Sequence, residues 1–155
     1  MKILFSALLI SFSAAVSADS NNLPSSCKPI QVEGTSAMLT AKKPVLIMIQ
    51  NSSTAELWVT HPVSEPGASA GWSSRLQAGN WSALALDKNA FELNCIESKP
   101  GHEQQIPCST VISLCKWSTV AMSAKEKGTF WAGENMPLPG LISHLEGRGF
   151  KLPAL

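Results

Sequence analysis

The sequence predicts a mainly β fold: a small disulfide-stapled β-sandwich of about eight short strands with one short C-terminal helix. Three observations predict it. Short apolar or alternating stretches recur between turn-forming residues from Cys27 onward. Four cysteines, Cys27, Cys95, Cys108 and Cys115, follow a leader-like N-terminus, and exported domains use such cysteines mainly as structural bridges. Helical spacing appears only near the end of the chain.

The first element is a leader. Met1 and Lys2 open an apolar run over residues 3–16, broken only by serines, and Val16-Ser17-Ala18 precedes Asp19. A basic start, a short apolar core and small residues before a polar break read as a secretory signal peptide over residues 1–18. The rival is an uncleaved anchor, for which the run is short. Removing 18 residues from 155 leaves 137, read as a single β-rich exported domain over residues 19–155. No lipid-anchor cysteine follows the cleavage point. Residues 45–49 form the longest apolar run of the mature chain, far short of the roughly 18 residues a membrane span needs.

Charge then excludes some partners. Lys2 leaves with the leader, so 12 basic residues become 11 against 11 acidic ones. A neutral chain has no basic stripe for nucleic acid and no polybasic patch for anionic lipid.

Residues 19–26 are polar and read as frayed. Residues 45–50 form an apolar run between Pro44 and Asn51-Ser52-Ser53, which suits a strand buried on both faces. Residues 56–60 alternate, placing Leu57 and Val59 on one face and Trp58 and Thr60 on the other. The two runs read as a hairpin around residues 51–55. Residues 61–71 carry two prolines and two glycines and read as a loop. A short edge strand is expected over 72–76. Gly79-Asn80 turns into a strand over 81–86, and Asp87-Lys88-Asn89 ends it. Phe91, Leu93 and Cys95 share a face of the next strand, opposite Glu92, Asn94 and Ile96. Pro100-Gly101 marks a turn, followed by strands over 104–107, 111–120 and 127–133. Leu138, Leu141, Ile142 and Leu145 recur at helical spacing, with Pro139 in the first turn and Gly147 at the stop. That helix is expected to pack on the sheet.

Three pairings of the cysteines can be drawn. Cys108–Cys115 with Cys27–Cys95 is favoured here, the first closing a short loop and the second tying the N-terminal segment to a central strand. No C-x-x-C occurs, which argues against a dithiol redox site, and the spacings do not suit zinc.

Chemistry-bearing patterns are sparse. His61, His102 and His144 belong to no metal-binding motif and read as solvated. No histidine accompanies the stretch from Cys115 to Met122, so a copper site is discounted. Gly67-Ala68-Ser69-Ala70-Gly71 matches G-x-S-x-G, but prolines precede it and a strand, not a helix, is expected after it. Ser69 with His61 or His102 as base is therefore a minor hydrolase reading. No cofactor and no metal are expected. Five tryptophans and no tyrosine are the oddest compositional feature. Trp81, Trp117 and Trp131 read as core. Trp58 and Trp72 are the candidate exposed contact surface, for a protein or, alternatively, for a carbohydrate. Asn51-Ser52-Ser53 and Asn80-Trp81-Ser82 are glycosylation sequons, relevant only in a eukaryotic secretory pathway.

The order of features from residue 79 resembles the enhanced-entry protein B family of intracellular bacterial pathogens. It rests on Gly79-Asn80-Trp81-Ser82-Ala83-Leu84-Ala85, Phe91-Glu92-Leu93-Asn94-Cys95 and Ile106-Pro107-Cys108, then on Cys115-Lys116-Trp117 and Gly128-Thr129-Phe130-Trp131. The resemblance covers about the last half of the chain and carries no catalytic residue. It implies an exported, periplasmic or secreted, non-enzymatic protein linked to host-cell entry or intracellular survival. Its partner would be another envelope or host protein, and its cysteines would be structural.

Overall fold

The computed structural model describes residues 23–62, 73–87, 90–117 and 128–153. The leader over residues 1–18 lies outside the described residues. The fold is mainly β, as expected, with ten strands rather than eight among those described. They are β1 (Lys28–Ile30), β2 (Ser36–Leu39), β3 (Val45–Asn51), β4 (Leu57–Thr60), β5 (Ser73–Leu76), β6 (Trp81–Leu86), β7 (Phe91–Glu97), β8 (Gln104–Ile106), β9 (Ile112–Trp117) and β10 (Phe130–Met136). A one-turn helix α1 (Cys108–Val111) precedes β9, and α2 (Leu138–Gly147) follows β10.

The strands form two antiparallel sheets. Sheet A has the order β1-β9-β3-β6-β10, and sheet B the order β2-β7-β4-β5. The strand β8 pairs with residues 95–97 of β7, and β2 pairs with residues 91–94, so the two share one edge of β7 end to end.

Sheet A is covered on both faces, and its sequence shows why. Val45, Ile47 and Ile49 of β3, with Leu84 and Leu86 of β6, point into the core between the sheets. Leu46 and Met48, with Trp81, Ala83 and Ala85, point the other way, into a second core beneath α2. All six residues of β6 are buried. A strand with no wet face reads as a continuous apolar run. Sheet B keeps one face outward, so β4 and β7 alternate between buried and half-buried positions.

The helix α2 docks as expected. Leu141, Ile142 and Leu145 enter the second core, and Pro139 occupies the first turn. Close approach is possible because Gly133 on β10 has no side chain. A Cβ there would strike Leu141 Cδ1 and lie 3.2 Å from His144 Cδ2. Leu141 is fully buried, so its side chain can give way only by displacing its core neighbours. Gly133→Ala is therefore expected to destabilise the fold by about 2 kcal/mol through overpacking. A urea titration checks this; an unchanged midpoint would contradict the packing described. The register of β10 against β6 steps between Trp131 and Gly133. At that irregularity Arg148, which ends α2, donates from Nη1 to the carbonyl of Ala132 at 2.5 Å.

Several expectations are corrected. Residues 45–50 and 56–60 are not a hairpin, because β3 lies in sheet A and β4 in sheet B. Residues 51–55 instead make a corner between the sheets. The Asn51 amide donates to the carbonyls of Ala55 (2.7 Å) and Leu76 (2.9 Å), and its oxygen accepts from Ser53 N (2.9 Å) and Ser53 Oγ (2.7 Å). A fully bonded side chain fixes the crossing where a tight turn would have reversed the strand.

Within the span read as frayed, Leu23 packs on the second core, and Ser26 Oγ accepts a hydrogen bond from Trp117 Nε1. The last strand starts at Phe130 rather than residue 127. The segment after Ile106 forms α1 before β9 begins.

The disulfide pairing also differs: Cys27 joins Cys115, and Cys95 joins Cys108. Cys27 and Cys115 belong to the core beneath α2, whereas Cys95 and Cys108 belong to the core between the sheets. Each of the other two pairings would have to pass through sheet A twice. Sequence proximity favoured Cys108–Cys115, but Cys108 on α1 enters the core between the sheets while Cys115 on β9 points to the opposite face of sheet A. Two disulfides of this kind fit an oxidising, exported environment.

Candidate functional site: the open face of sheet B

The residues of sheet B that do not enter the core form cross-strand rows. Trp58 on β4 sits in register with Arg75 on β5 and Ile96 on β7, and Ile96 with Gln105 on β8. The next row runs Ser73, Thr60, Asn94, Ser36. Met38 and Glu92 follow. Opposed side chains at such positions are about 5 Å apart, so each row is a contiguous strip of surface. Among the described residues no other element covers this face.

The alternation of β4 sets the outward aim of Trp58. Leu57 and Val59 are buried, which leaves Trp58 half-buried on the opposite side. Its register neighbours give it an aliphatic flank, Ile96, and a cationic one, Arg75. The guanidinium is held in place: Arg75 Nη2 pairs with Glu56 Oε2 at 2.7 Å. Ser98 Oγ donates to the other carboxylate oxygen at 2.9 Å. The hydrogen bond from Arg75, and then that from Ser98, hold the Glu56 carboxyl below its ordinary range, and Glu56 in turn raises Arg75. Across the next row Ser36 Oγ donates to Asn94 Oδ1 at 2.9 Å. Among the described residues Met38, at 58 %, is the exposed large hydrophobic side chain, and it lies at the far edge.

An aromatic centre flanked by an aliphatic side chain and an arginine, with a rim of amides and hydroxyls, has the composition of a protein-contact patch.

Comparison with family models, with curated proteins and with solved structures returns no match.

The other sequence-derived residues fall elsewhere. Trp72 and the Ser69 motif at residues 67–71 lie outside the described residues, so the structure does not place Trp72 beside Trp58. Trp81 and Trp117 are buried in the second core. Trp131 is half-buried against the core between the sheets. His102 and His144 are exposed. His61, read as solvated, is half-buried: its ring stacks on Phe91 at 4.1 Å between centroids, and Nδ1 donates to the Glu92 carbonyl at 2.6 Å. Stacking on Phe91, a buried ring at the start of the interior strand β7, takes the imidazole partly out of water. Among the described residues no three His, Cys, Asp or Glu side chains gather as a metal site. No described helix is long and apolar enough to cross a membrane.

Ile96 stands with Glu92 and Asn94 on the outward face, as the alternation of β7 indicates. Arg75 and Glu56 were not legible, because only the register of β5 and the turn of β4 bring them to Trp58. Both sequon asparagines are structural. Asn51 is fully buried, and Asn80 Nδ2 donates to Asn135 Oδ1 (3.0 Å) and to its carbonyl (3.2 Å).

Proposed function

We propose that this chain is an exported, non-enzymatic binding protein, periplasmic or secreted, that docks another envelope or host protein on the open face of sheet B. The observation that carries the reading is Trp58, turned outward between Ile96 and Arg75 on a face that no described element covers. Aromatic and arginine side chains supply most of the affinity in protein interfaces. The neutral charge of the mature chain favours a protein over nucleic acid or anionic lipid. The likeness to the enhanced-entry protein B family supports a role in host-cell entry or intracellular survival.

Cross-linking of the tagged protein in its native envelope, followed by mass spectrometry, tests the reading. A specific protein partner is expected. Trp58→Ala is expected to weaken its capture roughly 30-fold, the equivalent of about 2 kcal/mol at an interface hot spot, while the circular dichroism spectrum stays native. Undiminished capture by the variant would move the interface elsewhere, and no specific capture would remove the reading. A second reading, a carbohydrate-binding module, is favoured by the Asn94 and Gln105 amides in the rows around the ring. A glycan array without binding would eliminate it.

A further inference from the structure

The cysteines occur in the order 27, 95, 108, 115, yet the bridges are nested: the first pairs with the last and the two inner ones pair together. A chain exported N-terminus first presents Cys27 and then Cys95 before either native partner of Cys27 or Cys95 has emerged. Bridging in order of emergence yields Cys27–Cys95 and Cys108–Cys115. Loop entropy favours the second of these as well, because its loop is the shortest available.

Neither bridge is compatible with the fold. Cys27 and Cys115 lie in the core beneath α2, and Cys95 and Cys108 lie in the core between the sheets. Each emergence-order bridge would link the two faces of sheet A through the sheet itself. The third pairing, Cys27–Cys108 with Cys95–Cys115, has the same fault. Of the three pairings only the nested one keeps every bridge within one core. All four cysteines are buried in the folded chain, so correction must precede packing.

We infer that this chain folds as a client of a thiol–disulfide isomerase in the compartment to which it is exported. The inference rests on the exported reading given above. A dithiol oxidase first accepts two electrons and two protons for each bridge formed. The isomerase thiolate then attacks Cys27 in Cys27–Cys95, forming a mixed disulfide and releasing the Cys95 thiolate. Cys95 attacks Cys108 in Cys108–Cys115, forming Cys95–Cys108 and releasing the Cys115 thiolate. Cys115 attacks Cys27 in the mixed disulfide, which forms Cys27–Cys115 and returns the isomerase thiolate. No net electrons move in the three exchanges.

The test is expression of the full chain in an exporting bacterial host with and without its periplasmic isomerase, with bridges mapped by peptide mass spectrometry. Without the isomerase, soluble protein is expected to fall several-fold, and the remainder to carry Cys27–Cys95 or Cys108–Cys115. The Cys95→Ala/Cys108→Ala variant has one pair left and cannot mispair within the chain. Its yield, whatever its own level, is expected to be the same in both hosts. Equal wild-type yield with native bridges in both hosts would overturn the inference.

Retention of reduced chain with its leader attached would instead mark failure of export. A second measurement then decides. Purified reduced chain is oxidised in denaturant with diamide, and isomerase is added after dilution. Several-fold faster appearance of the native pairs supports the inference, and no acceleration overturns it.

Discussion

Replacing Cys27 and Cys115 together by alanine is expected to remove about 4 kcal/mol of stability, the larger loss of the two bridges. The bridge spans 88 residues of sequence, so its loss releases far more freedom in the unfolded chain than loss of Cys95–Cys108, which spans 13. In the chain-entropy account the shorter loop contributes about 3 kcal/mol. The longer bridge also anchors the segment before β1, whose Leu23 and Ser26 meet the core beneath α2. Urea titration of both double variants checks the order. The Cys27→Ala/Cys115→Ala variant should have the lower midpoint, by roughly 0.5–1 M if m is near 1–2 kcal/mol/M. Equal midpoints would mean that residues 23–30 hold to the sheet without the bridge.

Asn51→Leu is expected to cost about 3 kcal/mol although it places an apolar side chain of similar size in a buried site. The amide makes four hydrogen bonds at the β3–β4 corner. The backbone around it is equally engaged: Asn51 N donates to the Asn80 carbonyl at 3.0 Å, and Gly79 N donates to the Asn51 carbonyl at 2.9 Å. Ser52 N reaches the Val111 carbonyl at 2.9 Å. Three chain crossings between the sheets are therefore tied at two adjacent residues, Asn51 and Ser52. Leucine would leave the Leu76 carbonyl and the Ser53 donors without this partner, and a buried group left unpaired costs more than its bond contributed. A thermal melt should show a fall on the order of 10 °C. A fall of only a degree or two would show that water enters the corner and replaces the amide.

These two sites mark where the sequence stops being legible. Local pattern revealed what local physics decides. The apolar run of β3 indicated a strand buried on both faces, the alternation of β4 and β7 indicated one wet face, and the spacing of Leu138, Leu141, Ile142 and Leu145 indicated α2. Strands β1 and β2 were missed because they are short and β1 contains Pro29, so neither has a run to detect. The hairpin expected around residues 51–55 failed because nothing in the pattern separates a reversal within a sheet from a crossing between sheets. That difference lies in the partners of Asn51, which come from β5 and the turn after it.

The disulfide pairing failed for a related reason. Proximity along the chain ranks Cys108–Cys115 first, whereas the faces of sheet A decide the outcome. At the candidate site, the outward aim of Trp58 and Ile96 followed from alternation alone. The arginine beside them followed only from the register of β5.

The corner at Asn51 and Asn80 also bears on how the protein can be produced. In a eukaryotic secretory line, oligosaccharide is transferred to sequons while the chain is still extended, before any corner exists to hide them. A sugar on the Asn51 amide would replace one of the two hydrogens that Ala55 and Leu76 accept, and its bulk would have no room in the buried corner. A sugar on Asn80 would do the same to its bonds with Asn135. The triplets that usually advertise a tolerant surface loop here sit at the least tolerant junction of the molecule. Such a cell line would decorate the chain and lose the fold, which makes a host without N-linked transferase the natural source of material.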